Sequence, residues 1–175
     1  MAYTDVRMVL GELKAKRAMP YPTPIRRRAF RRGDAETWVR IQEQTGAYPM
    51  MNADAFRREF ANDLDVLKER MFFLEHESSG PIATSAGWFD AESSRGRIHW
   101  VAVVPAWQGR GLGTMLVLDT CQLLFELGHS RIFLTTERQN LGAIRLYMRL
   151  GFHPDPRDTE EVEAWVRIRK LLEAS

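Results

Sequence analysis

Val103-Val104-Pro105-Ala106-Trp107-Gln108-Gly109-Arg110-Gly111-Leu112-Gly113-Thr114 decides how the rest of the chain is read. The near-continuous apolar run from Ile98 to Val104 leads into it and reads as a strand buried on both faces. Gly109, Gly111 and Gly113, spaced two apart, remove side chains where the backbone must turn sharply. Leu112 to Leu127 reads as the helix that follows, ended by Gly128. The N–H groups of the loop and the helix N-terminus converge on one spot, with about half a positive charge, and Arg110 adds a formal charge beside them. Such a loop cradles a diphosphate. A nucleotide-binding loop of the GxxxxGK[ST] type is excluded, because no Lys follows the glycines; the spacing is GxGxG, not the GxGxxG of a dinucleotide loop. The alternative is a glycine-rich helix start that binds nothing.

Outward from this stretch, Arg131 to Thr136 reads as a strand and Asn140 to Leu150 as a helix stopped by Gly151. The strands at 97 and 131 are therefore expected to be parallel, joined by a right-handed crossover. Upstream, Met71 to Glu75, Ile82 to Phe89 and Arg97 to Val104 are strands joined by short turns, an antiparallel meander with Gly87 as a candidate bulge. Ile25 to Phe30 opens the core. Asp34 is the expected N-cap of a helix that buries Trp38, Ile41 and Val39 and ends at Gly46. Asn52 or Asp54 starts a second helix carrying Phe56, Phe60 and Leu64. Asp158 and Glu161 make a capping pair for a last helix from about Thr159, with Val162, Trp165, Val166 and Leu172 as its apolar stripe. At the other end, Asp5 caps an expected short helix bearing Val6, Val9, Leu10 and Leu13, and Pro20, Pro22 and Pro24 stiffen a linker. The expected organisation is a helical arm and linker over 1–24 and one domain over 25–175. The arm either packs on its own surface or reaches a second subunit, as in a homodimer.

The 175 residues, 45% apolar and 27% charged, suit one folded domain and exclude bulk disorder. A net charge of +2 does not select nucleic acid. No stretch approaches the roughly 20 apolar residues that span a bilayer, and Asp5, Arg7, Glu12, Lys14, Lys16 and Arg17 interrupt any secretory h-region. A cytoplasmic protein with no membrane partner is expected. Cys121, alone and mid-helix, reads as a small buried hydrophobe. His76, His129 and His153 have no metal-ligand spacing, and no metal is expected.

The pair of segments QGRGLG (Gln108 to Gly113) and NxxAxxLYxxLGF (Asn140 to Phe152), separated by a helix and a strand, resembles the GNAT superfamily of acyl-CoA-dependent N-acetyltransferases. The likeness covers roughly 25 to 153. It implies an α+β fold of GNAT type: a mixed sheet with an antiparallel N-terminal meander and a splayed parallel strand pair, helices on both faces. It further implies that backbone amides of Gln108, Gly109, Arg110, Gly111, Gly113 and Thr114 hold the pyrophosphate of acetyl-CoA. Val101 and Val103 would pair with the pantetheine arm as an added strand, Asn140 would bond nearby, and Tyr147 would protonate the departing thiolate. Arg138, Arg145 and Arg149 are candidates to meet the adenosine phosphate, with solvated surface as the alternative.

The resemblance also implies acetyl transfer to a primary amine by direct attack, the acceptor being a small-molecule amine or a peptide amine. Freeing the lone pair of a lysine-like ammonium, whose pKa is about 10.4, costs roughly 4.6 kcal/mol at pH 7, so a base must take that proton. By strand alternation His99 shares a face with Arg97, Val101 and Val103, and an ordinary pKa of about 6.5 suits proton transfer; a core histidine bonded to a neighbour is the alternative. Glu137 and Glu75 are further candidates. The Val103 N–H would steady the developing oxyanion, and Asn140, Ala143 and Tyr147 share a helix face. Trp88, Phe89, Trp107 and Tyr48 are candidates to line an acceptor pocket. A peptide or protein N-terminal or lysine acetyltransferase is one alternative, a non-catalytic acyl-CoA sensor another. The family usually closes its sheet with a last strand after the LGF segment, whereas Pro154-Asp155-Pro156 interrupts here and the tail reads as helix.

Overall fold

The computed structural model describes residues 5–11, 20–46, 51–60, 63–90 and 94–174. Seven strands, β1 (Asp5–Leu10), β2 (Ile25–Ala29), β3 (Met71–His76), β4 (Gly80–Asp90), β5 (Arg95–Val103), β6 (Ile132–Glu137) and β7 (Phe152–Pro154), form one sheet in the order β2-β3-β4-β5-β6-β1-β7. The helices are α1 (Asp34–Thr45), α2 (Ala53–Glu59), α3 (Leu64–Arg70), α4 (Leu112–Glu126), α5 (Leu141–Leu150) and α6 (Thr159–Glu173). Strands β2 to β5 are the expected antiparallel meander, and β5 and β6 are parallel. One apolar cluster packs Trp38, Phe56 and Phe60 of the α1–α2 layer against Phe73 and Leu74; another packs Leu118, Ile144 and Trp165 of α4, α5 and α6 against Val6, Met8 and Leu134.

The helix expected at the N-terminus is a strand. Val6 and Met8 are fully buried while Arg7 and Val9 are not, a period of two that fits the slot between β6 and β7. The pairing runs from Asp5 opposite Glu137 to Leu10 opposite Phe152. The place beside β6 is thus filled from the N-terminal side of the chain, and β7, only three residues long, pairs with β1. Leu13, Lys14, Lys16 and Arg17 lie outside the described residues. The proline segment is pinned by Tyr21, whose hydroxyl donates to Asp119 of α4 at 2.9 Å.

Five local expectations are also corrected. Gly33, not Asp34, caps α1; the Asp34 carboxylate reaches back to the Arg31 N–H at 2.6 Å and to Arg28 Nη2 at 3.0 Å. The helix expected through Leu64 breaks at Phe60, whose backbone is extended, and Asp63 caps a new helix by accepting the Asp65 and Val66 N–H groups. Gly87 is no bulge: it pairs in register with Ile98, and a Cβ there would lie 3.2 Å from Leu123 Cδ2, so it makes room for α4. On α6 the buried side is Ala164, Trp165 and Ile168, while Val162 and Val166 are about half exposed. Asp158 accepts the Glu161 N–H at 2.8 Å as expected, but Glu161 turns to Arg157 rather than closing the reciprocal bond. Among the described residues no helix is long and apolar enough to cross a membrane.

Candidate active site

β5 and β6 lie side by side only where Gly96, Arg97 and Ile98 face Ile132, Phe133 and Leu134. Beyond that point a cleft of about 720 Å³ opens between them, walled also by α1 and α2. The opening starts at an irregularity in β5. Thr84 pairs with Ala102 but Ala86 with His99, so β5 holds one residue more than β4 there, and Trp100 sits at φ +52°. A left-handed backbone at a non-glycine residue costs roughly 1–2 kcal/mol. It interrupts the expected alternation and brings two consecutive side chains to one carboxylate. Trp100 Nε1–H donates to Glu59 Oε2 at 2.9 Å, and His99 Nε2 stands 3.2 Å from the same oxygen.

The backbone of β5 keeps a free edge toward the cleft. Val104 N–H donates to the Ile82 carbonyl of β4 at 2.9 Å, so by alternation the Val103 N–H and carbonyl face the opposite edge. That carbonyl accepts from Gln108 Nε2 at 2.9 Å. A single turn of 3₁₀ helix (Pro105–Trp107) leads to the glycines, of which Gly109 and Gly111 have φ +73° and +80°. An added Cβ at either would meet nothing within 4 Å, so conformation rather than space requires glycine there. Gly113 differs: a Cβ would lie 3.3 Å from Leu146 Cδ1, and its absence lets α4 and α5 approach. The first-turn N–H groups of α4, on Leu112, Gly113 and Thr114, have no carbonyl within the helix to bond. Arg110 donates to the Ala106 carbonyl at 3.2 Å and lies over the Trp107 ring at 4.5 Å.

Of the expected site residues, His99, Val101, Val103, Gln108, Asn140 and Tyr147 line the cleft. Gly109, Arg110, Gly111, Gly113 and Thr114 form the adjoining loop and helix start instead of the cleft wall. Tyr147 is buried with its ring 6.0 Å from Phe152, and burial pushes its phenol up to about 12. Asn140 caps α5, its Oδ1 accepting the Ala143 N–H at 3.1 Å. His99 is 5% exposed, and burial pulls its imidazole below the ordinary 6.5, against the opposing pull of Glu59. The hydrogen bonds from His99 and Trp100 hold Glu59 down at about 2, against burial.

Glu59 carried no signal in the sequence: it ends a short helix and meets a tryptophan 41 positions away. Asp5, Gln42, Thr45 and Arg58, also on the cleft wall, were equally silent. Glu137 lines the cleft, whereas Glu75 binds Arg28 away from it. Trp88, Phe89 and Trp107 do not line it; Trp88 packs edge-on to Phe60 at 5.3 Å, and Tyr48 lies outside the described residues. Arg145 donates to the Leu172 carbonyl of α6. Cys121 is fully buried, which pushes its thiol up to about 12. Among the described residues no three His, Cys, Asp or Glu side chains could share a metal ion.

Residues 34–152, which hold the parting strand pair, the glycine loop and the helix it feeds, match the acetyltransferase (GNAT) family. The chain belongs to that family. Its GNAT relatives include an uncharacterized N-acetyltransferase of Methanocaldococcus jannaschii, 32% identical over 95 residues, 53% of this chain and 40% of the relative. A mycothiol acetyltransferase of Thermobifida fusca is 33% identical over 140 residues, 71% of this chain and 42% of the relative. The chain thus spans less than half the length of either curated relative. A crystal structure of a GCN5-related N-acetyltransferase from Sphaerobacter thermophilus shares the GNAT fold, with a TM-score of 0.67 and 24% identity over 87% of this chain and 48% of that one.

Proposed function

We propose that the protein moves an acetyl group from acetyl-CoA to a primary amine by direct attack of the amine nitrogen on the thioester. One observation carries this: a single cleft runs from the free edge of β5, beside the glycine loop, to the His99–Glu59 pair. Backbone amides from Gln108 to Thr114 would take the diphosphate, with the helix dipole of α4 behind them. The pantetheine arm would lie along Val101 and Val103, taking the place that the Gln108 side chain now holds at the Val103 carbonyl. Asn140 Nδ2 stays available as a donor, because Oδ1 serves the cap.

His99, kept neutral by burial, accepts a proton from the substrate ammonium, and the Glu59 carboxylate steadies the imidazolium. The nitrogen then bonds to the thioester carbon, and the negative charge on oxygen meets the Val103 N–H. As the carbon–sulfur bond breaks, the thiolate takes the phenolic proton of Tyr147; the second proton of the attacking nitrogen leaves through water and restores the phenol, and His99 returns its proton to solvent. No acyl-enzyme forms, and Cys121 has no part.

The test is release of free CoA thiol on adding acetyl-CoA with amines, polyamines, amino acids and peptides. The relatives' names add mycothiol-type acceptors to that panel. Amine-dependent release that falls in Tyr147→Phe is expected. Tight acetyl-CoA binding with no release for any acceptor would overturn catalysis in favour of an acyl-CoA sensor, and preference for peptides would select the peptide or protein acetyltransferase alternative.

A further inference from the structure

The cleft beyond His99 carries charged groups of both signs on each of its walls. On the strand side stand the carboxylates of Glu137 and Asp5, set side by side by strand pairing, and the Arg97 guanidinium, which donates to Thr135 of β6. On the α1–α2 side stand Gln42, Thr45, Arg58 and Glu59, the last taken up by His99 and Trp100. Arg57 pairs with Asp54, but Arg58 has no carboxylate partner among the described residues. Gln42 is 3% exposed, and its Nε2 has no hydrogen-bond partner among the described residues. Native proteins rarely leave a buried donor unmet without a ligand or water to take it. A cationic fork and a neutral donor on one wall suit two oxygens sharing one negative charge.

We propose that the acceptor is an amine bearing a carboxylate, of amino-acid type, whose carboxylate is received by Arg58 and Gln42. The inference rests on the acyl-transfer function above. Its test uses matched triplets: alanine, leucine and phenylalanine, their α-amides, and ethylamine, 3-methylbutylamine and phenethylamine. The readout is kcat/KM referred to the free-base amine. In at least one triplet the acid should exceed both the amide and the amine by about tenfold or more, as expected for a hydrogen-bonded charge. Arg58→Gln should shrink that ratio about tenfold, mainly through KM, and Arg58→Glu should drive it below one. Amines or amides equal to the acids in every triplet would overturn the proposal. If no acceptor is acetylated, calorimetry separates the two ideas. An acid that binds the intact protein but not Arg58→Gln supports the carboxylate subsite while overturning acyl transfer; no binding of any acid overturns the subsite as well.

Discussion

The two halves of the cleft are built by different means. The half beside α4 is walled by Val101, Ala102, Val103 and Gln108 and adjoins the loop and helix start up to Thr114, and the donors proposed for it are backbone N–H groups whose direction follows from Gly109 and Gly111. The half beyond His99 comes from α1, α2, β6 and β1, and its wall presents side chains: Gln42, Arg58, Glu59, Glu137 and Asp5. A backbone-built site is indifferent to most side chains and fails where a required φ is lost. A side-chain site can be altered one group at a time and responds to pH.

Tyr147 lines the same cleft, and its removal should have the largest effect. Tyr147→Phe is expected to lower kcat by about a hundredfold or more, the low end for losing a positioned acid, in steady-state thiol release; an unchanged kcat would take the phenol out of the reaction. Gly111→Val should act on one half alone. A branched side chain at φ +80° carries a strain of about 1–2 kcal/mol or more. Acetyl-CoA binding measured by calorimetry should weaken about tenfold, while acceptor KM at saturating acetyl-CoA stays near its original value. An equal loss in both would mean that the halves are not separable.

Glu59→Gln should act on the other half, lowering kcat/KM by about tenfold without weakening acetyl-CoA binding. Glu59 raises the His99 imidazole against burial, so its removal should move the acid limb of the pH–rate profile to lower pH. The smallest effect is on folding. His99 is harder to protonate when folded than its ordinary 6.5, so stability begins to fall as pH drops below that value. Glu59, at about 2 when folded against an ordinary 4.5, contributes stability that is whole above 4.5 and fades as pH falls toward 2. Denaturant midpoints should therefore decline on acidification, and below pH 4.5 the decline should be shallower in Glu59→Gln. A midpoint independent of pH over that range would place the pair outside the folded-state balance.

Legibility followed the same division. Glycine spacing, the apolar run before it and the Asn140-to-Phe152 segment are local patterns, and the strand, loop and helices they announce are all present. The exchange of helix for strand at Asp5–Leu10 was not local: Val6, Val9 and Leu10 fit a helical stripe, and Val6, Met8 and Leu10 fit a strand equally well. Only the gap between β6 and β7 decides between them. Glu59 was hidden for the same kind of reason. Its role depends on the extra residue at Trp100, which turns His99 and Trp100 toward one carboxylate, and no spacing rule foretells a left-handed tryptophan. Gly87 and Gly113 were visible as glycines, but their purpose lay in the helices packed over them.

The most direct test is a crystal structure of the protein with acetyl-CoA. The diphosphate should lie on the N–H groups of Gln108 to Thr114, with the thioester between β5 and β6 near His99 and Tyr147, and the Gln108 amide released from the Val103 carbonyl. A cofactor bound elsewhere, with Gln108 still on Val103 and the cleft empty, would contradict the account.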